Sequence, residues 1–467
     1  MTTSNINTNK HISWQNITIC LLASLAGILF GMDTGIISGA LPFIAHEFSA
    51  NNQGQQIIVS SVLFGAAVGT ITSAFLAKPL GRRRTILLAA FIFMVASFFS
   101  AIAHSIAHLV MARAALGIAV GMAAYNAPLY LAEVASSEIR GSLVTLYQAM
   151  VNLGIVIALV IDLVLTYTGN WRLMLFSLAF PAILLFIGTL LMPPSPRWLI
   201  LKKQKKAARE VLHKIRQGSE EDILNEIYDI EQVEKLDHEG WSLFKRNGNF
   251  RRVVFLGIAL QAAQQLTGIN VMFYYAPKVF TLVGFVSPIS KMWGGVLLGV
   301  IDFSFTLLAI LFVDRVGRKP LLYWGALGMG AAFLVLAYLF STPMDTVTLR
   351  TIAVLMLVLF MIAFAMSSGP VTWILCSEIN PLKGRSLGMM TSTTTNWLVN
   401  LVIGATFLTL LSTLGGVKTF ILYGVINLAL IIIYYFYTPE TRKISLEQLE
   451  QNLMKGKRLR DIGQVSN

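Results

Sequence analysis

The run ITICLLASLAGILFGMDTGIISGALPF, from Ile17 to Phe43, carries a single charged residue, Asp33, in a stretch long enough to cross a bilayer. A spanning helix needs about 20 mostly apolar residues. The run is too long for the core of a signal peptide and lacks a small-residue cleavage pattern, so it reads as a retained first helix. Similar stretches recur nearly end to end, at Ile57–Ala77, Ile86–Ala103, Leu143–Leu165 and Leu173–Met192, and roughly twelve are expected. The composition agrees. A chain of 467 residues that is 55% hydrophobic and 13% charged, with mean hydropathy +0.69, is far too apolar for a soluble globular protein. The expected fold is an all-α membrane protein of twelve transmembrane helices.

The formal net charge of +13 does not point to nucleic acid, because the basic residues lie in short loops between spans and not on one soluble face. Lys78, Arg82, Arg83 and Arg84 crowd the loop after the second span, and Arg315, Arg318 and Lys319 the loop after the eighth. Pro42–Gln56 has neither lysine nor arginine. By the positive-inside rule both termini are expected in the cytoplasm. Cys20 and Cys376 show no ligand spacing and are expected to be buried, inert thiols. The chain has no nucleotide loop, metal cluster or paired nucleophile and base, so neither an enzyme nor a cofactor is expected.

One long polar stretch, Pro193 to about Arg252, holds Lys202-Lys203-Gln204-Lys205-Lys206 and an acidic run around Glu220–Glu239, and reads as short cytoplasmic helices. It divides the chain into a six-helix half over 1–192, a linker over 193–250, a six-helix half over 251–438 and a cytoplasmic tail over 439–467. The halves repeat. Glu133 and Glu378 stand 245 positions apart (378−133), as do Arg140 and Arg385, and Arg197 and Arg442. Gly81-Arg82-Arg83 answers Gly317-Arg318-Lys319 at 236 positions (317−81). A duplicated six-span unit is the mark of transporters whose pseudo-symmetric halves rock about a midplane site.

The order Gly81-Arg82-Arg83, Glu133 with Arg140-Gly141, Pro194-Ser195-Pro196-Arg197, Gln264-Gln265, Gly317-Arg318-Lys319 and Pro439-Glu440-Thr441-Arg442 resembles the sugar porter family of the major facilitator superfamily over essentially the whole chain. The stretches Ser38–Ala45, Thr267–Asn270 and Asn452–Gly456 are most similar to its proton-coupled galactose and arabinose porters. The resemblance implies import of a monosaccharide with a proton as coupling ion, in a bacterial inner membrane, by a chain working as a monomer among lipids. An uncoupled facilitator and a membrane sugar sensor are the alternatives. Asp33 speaks against the first. Sensors of this fold carry long signalling extensions, whereas only Lys443–Asn467 follows Arg442 here.

Asp33 lies mid-span, where an ionised carboxylate costs roughly 2.5–3.5 kcal/mol even on insertion scales. Arg113, in the fourth span, is its expected partner. A carboxylate that loses its cation in a less polar setting takes up a proton, which makes the pair a proton switch; the bland alternative is a static pair that pins two helices. The resemblance places the coupling carboxylate at this motif. Asp302 in the eighth span departs from the family, which more often has Asn there facing the sugar. Three roles are open to it: a strong acceptor for a hydroxyl, a group titrating with Asp33, or a protonated, hydrogen-bonded acid. Asp162 is expected to reach the outer interface and to be merely solvated.

A neutral sugar wants amides, hydroxyls and an aromatic wall with few fixed charges. Gln264 and Gln265 lie in the seventh span, and the step from Asn270 to Tyr274 puts that pair on one helix face. The resemblance adds Gln148, Trp373, Asn396, Trp397 and Asn400, and Phe30 would put an aromatic edge beside Asp33. Gly369-Pro370 before Trp373 suggests a bend. At the cytoplasmic ends, Glu133 with Arg140, Glu378 with Arg385, Asp314 with Arg318, and Glu440 with Arg442 are expected to pair and to bias the outward-open state. Ala77 and Pro194 stand where the family often has acids, leaving the first half short of acidic partners.

Overall fold

In lipid a chain satisfies its own backbone groups only by closing into helices or a barrel. The computed structural model describes residues 14–134, 140–216, 219–237, 240–381, 384–442, 444 and 446–464, and among them there is no strand. The first six crossings are α1 (Trp14–Glu47), α2 (Asn52–Leu80), α3 (Arg82–Ala101), α4 (Ile106–Val134), α5 (Arg140–Thr166) and the pair α6 (Trp171–Phe176) and α7 (Ala179–Leu191). Four linker helices follow: α8 (Pro196–Leu201), α9 (Lys205–Ile215), α10 (Glu220–Asp237) and α11 (Gly240–Arg246). The second set comprises α12 (Gly248–Leu266), α13 (Ile269–Tyr274), α14 (Ala276–Leu282), α15 (Pro288–Val316), α16 (Arg318–Phe340), α17 (Val347–Ala365), α18 (Ser368–Ile379) and α19 (Arg385–Phe436), with α20 (Leu446–Met454) in the tail.

By length and apolarity, 10 segments of the described chain qualify as membrane spans. Two features raise the crossings to the twelve expected. Gly415, at φ 77° and ψ 168°, breaks the 52-residue α19 into two helices, a backbone conformation that glycine adopts without steric cost. The other is the seventh crossing, α12 to α14, which composition understates. Gln261, Gln264 and Gln265 lie within α12, and Gly268, left-handed at φ 88°, separates it from α13.

Within the first half α1 runs along α5, and α2 along α4. A Cβ on Gly31 would overlap the Val151 carbonyl, and one on Gly65 the Ala114 carbonyl, so these backbones touch. Small residues at the contact are what helix association in lipid relies on. Phe64, Phe75, Phe180, Leu191, Leu311 and Trp324 stand exposed on the outside of the bundle, an arrangement suited to lipid.

The halves meet along α2 with α19 and α5 with α15. Thr409 Oγ1 lies 3.0 Å from the Gln56 amide, and Gly404 faces Leu63 and Val59. Deeper in the bundle, Asn152 Nδ2 donates to Thr306 Oγ1 at 2.8 Å. The opposite end gathers Arg82, Arg83, Arg84, Arg315 and Arg318. The linker packs on the first half there: Ala208, Leu212 and Ile215 of α9 are buried, Arg216 Nη1 donates to the Val134 carbonyl at 2.7 Å, and Arg216 pairs with Glu226 at 2.9 Å.

Asp162 corrects the sequence reading. It is fully buried, and its Oδ2 accepts from the Gly39 amide of α1 at 2.9 Å. The missing side chain of Gly39 leaves the space that the carboxyl fills, which draws it inward, away from the solvated end of α5. Cys376 is buried as expected, with Sγ 3.8 Å from the Gly257 carbonyl; the Cys20 side chain lies outside the described residues.

Candidate functional site

Asp33 and Arg113 come together as the charges require. Both are buried, at 4% and 1% exposure, and Arg113 Nη2 stands 3.6 Å from Asp33 Oδ1. That separation is an ion pair but too long for a hydrogen bond. Arg113 is anchored elsewhere, because its Nε donates to the Ile58 carbonyl of α2 at 3.1 Å. The guanidinium is thus tied to α2 and α4 while the carboxylate rides on α1. One turn before Asp33, Phe30 meets Trp397 of α19 edge to face, ring centroids 5.0 Å apart, so the pair lies where the two halves touch.

The amides of the second half form a connected set. Gln264 Nε2 donates to the Ser368 and Gly369 carbonyls at 2.9 and 3.0 Å, and its Oε1 accepts from Asn396 Nδ2 at 2.8 Å. Asn396 Nδ2 also donates to Gln261 Oε1 at 2.7 Å. Both donors of each amide are therefore engaged within the protein. Gln264 holds the break before α18, where Ser367 leaves helical geometry at φ −130° and ψ −97°, and this bend carries the half-buried Trp373. Gln264 and Asn396 thus link α12, the start of α18 and α19. Gln265 has more freedom: its Oε1 accepts from Asn270 Nδ2 at 2.5 Å, and its Nε2 lies 3.5 Å from Gln264 Oε1. Tyr274 OH accepts from Asn400 Nδ2 at 3.1 Å.

On the other wall, Gln148 Nε2 donates to Asn152 Oδ1 at 3.1 Å, and Asn152 in turn reaches Thr306 across the halves. Asp302, one turn before Thr306 on α15, is buried at 2% exposure. Asn152, Thr306 and Gln261 were missed in the sequence reading. Their signal was present as four-residue steps, Gln148 to Asn152 and Asp302 to Thr306, and a three-residue step, Gln261 to Gln264. Buried atoms of this region that find no hydrogen-bond partner among the described residues include Asp33 Oδ1, Arg113 Nη1, Gln261 Nε2, Asp302 Oδ1, Trp397 Nε1 and Asn400 Oδ1. Buried polar atoms are rarely left so, and donors and acceptors orphaned together suit a ligand rich in hydroxyls.

At the basic end both halves build the same clasp. Arg82 Nε donates to Glu133 Oε1 at 3.1 Å, and Ser195 Oγ to Glu133 Oε2 at 2.5 Å. In the second half Arg318 Nη2 donates to Glu378 Oε1 at 2.9 Å, and Thr441 Oγ1 to Glu378 Oε2 at 2.5 Å. Each glutamate thus bonds an arginine of a Gly-Arg motif. The reason is reach: Gly81 and Gly317 end one helix and start the next, and so set these arginines against α4 and α18. The Arg140 side chain lies outside the described residues. Asp314 pairs with Arg318 at 2.9 Å as expected.

Glu440 differs from its expected role. It accepts from the backbone amides of Arg318, Lys319 and Arg442 at 3.1, 3.0 and 3.0 Å, and so caps α16. Ser195 and Thr441, equivalent by their bonds, stand 246 positions apart (441−195), one more than the glutamates, which sets Pro194 opposite Glu440. At the equivalent start of α3, a pocket of about 370 Å³ is lined by Arg82, Arg83, Arg84, Pro194 and Trp198.

Residues 19–453 match the family model described as sugar (and other) transporter. The chain is 47% identical over 445 residues to the galactose-proton symporter of Escherichia coli (strain K12), covering 95% of this chain and 96% of that one. It is 45% identical over 452 residues to the arabinose-proton symporter of the same strain, covering 96% of each. Among solved structures, the major facilitator superfamily proton:xylose symporter bound to 6-bromo-6-deoxy-D-glucose superposes with a TM-score of 0.79 at 30% identity, over 93% of this chain and 98% of that one. The xylose transporter from E. coli in a partially occluded inward-open conformation gives 0.81 at 30% identity, over 92% and 99%. The motifs, the doubled clasp and the twelve crossings have one common explanation: this chain belongs to the sugar transporter family of the major facilitator superfamily.

Proposed function

We propose that the chain imports a monosaccharide, a galactose- or glucose-type hexose or arabinose, together with a proton by alternating access. The observation that carries this reading is the set of orphaned donors and acceptors beside the buried Asp33–Arg113 pair. Its named relatives, symporters of galactose and arabinose, support it. The sugar is bound by Gln148, Gln265, Asn270, Tyr274, Asp302, Trp373, Trp397 and Asn400 with Phe30 as a wall, while Gln264 and Asn396 hold the frame. Because Arg113 is tied to α2 and Asp33 to α1, rocking of α1 changes their separation. Asp33 takes a proton as the pair opens and returns it as the pair closes.

The rocking units are the halves 1–192 and 251–438, with the linker 193–250 and the tail 439–467 on the basic side. That side is cytoplasmic, by the arginine bias, so both termini are cytoplasmic and the membrane is the bacterial inner membrane. The two clasps are tightest when the inner side is shut, and so bias the outward-open state. The chain works as a monomer in lipid, with the proton as its coupling ion and no cofactor. Uptake of labelled galactose, glucose, arabinose and xylose into proteoliposomes, with and without an imposed proton gradient, tests all of this. Gradient-dependent accumulation of one or more is expected. Equilibration that ignores the gradient would replace symport with facilitated diffusion.

A further inference from the structure

Asp302 is the second acid of this region, and its placement differs from that of Asp33 in one respect: among the described residues no cation pairs with it. On α15 the buried positions Gly295, Gly299, Asp302 and Thr306 recur at steps of three and four, and so form one face. That face is turned to α5 of the other half. A Cβ on Gly299 would lie 2.9 Å from Leu159 and 3.6 Å from Val156, and Thr306 accepts from Asn152. Asp302 therefore lies level with α5 between Asn152 and Val156. The same turn of α5 meets α1 around Asp33, since Gly31 packs on Val151 and Gly35 on Ile155. The two carboxyls share one depth in the membrane, on either side of α5.

The elements packed on α15 bring no positive charge to Asp302. On α5, Asp162 accepts from Gly39, and Tyr147 is neutral. Lys278 of α14 is exposed, and Arg350 of α17 donates to the Met344 carbonyl. At the basic end Arg318 of α16 is engaged with Asp314 and with Glu378 of α18. None of them bonds Asp302, whose Oδ1 has no hydrogen-bond partner. Among the described residues none supports an ionised carboxylate there, which leaves that to water, and a bound sugar removes water from this seam.

We infer that Asp302 is a second proton site, distinct from the coupling pair: sugar binding takes up a proton at Asp302, which then donates its hydrogen bond to a sugar hydroxyl. This rests on the sugar-transport reading and deepens it. By linkage, sugar affinity falls as pH rises through the titration of Asp302 in the empty site, by up to tenfold per pH unit, while below that pH it is flat. Calorimetry of purified protein with galactose or arabinose, in buffers of different ionisation enthalpy, reads the proton uptake directly. Wild type is expected to take up a proton fraction that rises as pH passes through the titration of Asp302 in the empty site. Asp33→Asn should keep this dependence, and Asp302→Asn should bind sugar with a flat profile and no uptake. Asp302→Ser serves the same test if the Asn variant does not fold. A pH dependence lost in Asp33→Asn but kept in Asp302→Asn overturns the inference, as does wild-type binding with no proton uptake across the range. Absence of sugar binding by every variant, wild type included, overturns the transport reading and this inference with it.

Discussion

Replacing Asp33 by Asn removes the titratable group while keeping its shape, and the structure sets the size of the consequence. Arg113 is then a cation at 1% exposure with no anion beside it. Removing one partner of a buried pair typically costs about 3–5 kcal/mol, because the other charge stays stranded. Two features place this case near the lower bound, at about 3 kcal/mol: Arg113 keeps its bond to the Ile58 carbonyl, and the 3.6 Å separation means that no hydrogen bond to Asp33 is lost. Thermal unfolding in detergent should therefore show a clear loss of stability in Asp33→Asn, and the double variant Asp33→Asn/Arg113→Gln should recover most of it. The two changes are in contact, so they must not add. Transport should separate in the same variants. Exchange of labelled for unlabelled sugar continues, since any proton taken up at Asp302 travels both ways with the sugar, whereas net uptake, and with it accumulation and sugar-induced alkalinisation of the medium, stops because the pair that resets the empty carrier has lost its titratable group. An Asp33→Asn protein that still concentrates sugar and still moves protons refutes the reasoning and makes Asp302 the coupling candidate.

Gln265→Ala and Asn270→Ala should each weaken sugar binding by about 10- to 100-fold, the cost of about 1–3 kcal/mol for a stranded hydrogen bond in a dry site, with melting temperature nearly unchanged. Gln264→Ala should instead lower the melting temperature, because it frees the Ser368 and Gly369 carbonyls and one donor of Asn396; equal stability of the Gln264 and Gln265 variants would argue against a structural role for this link. Arg82→Ala and Arg318→Ala each open a clasp and should raise inside over outside labelling of engineered cysteines, while sugar still binds; an unaltered ratio leaves these arginines as orientation signals. Pro194→Glu should supply the first half with the helix cap that Glu440 gives the second, stabilising the protein by about 0.3–1 kcal/mol; a melt no higher than wild type argues against the equivalence of the two positions.

Asp33, Arg113 and the doubled Gly-Arg motifs were legible because their chemistry conflicts with their surroundings: a charge in a span must find its opposite, and a repeat must recur. The seventh crossing was legible for the same reason, since its glutamines are too polar for lipid. Individual roles were less so. Gln264 and Gln265 are adjacent and identical, yet one props a helix break and the other remains freer for a ligand.

The sequence by itself determined the twelve crossings, their division into two similar halves and the need of each charge within a span for a partner. These follow from apolar length, from spacing and from the cost of charge in lipid, all of which are properties of the chain read locally. The tertiary structure alone decided which partner each group takes. Glu133 meets Arg82 because Gly81 starts a new helix beside α4, Asp162 is buried because Gly39 leaves space across α1, and Thr306, one turn from Asp302, meets Asn152 of the other half. Each of these depends on a residue more than 50 positions away (133−82 gives the smallest, 51). Packing, not spacing, brings such residues together.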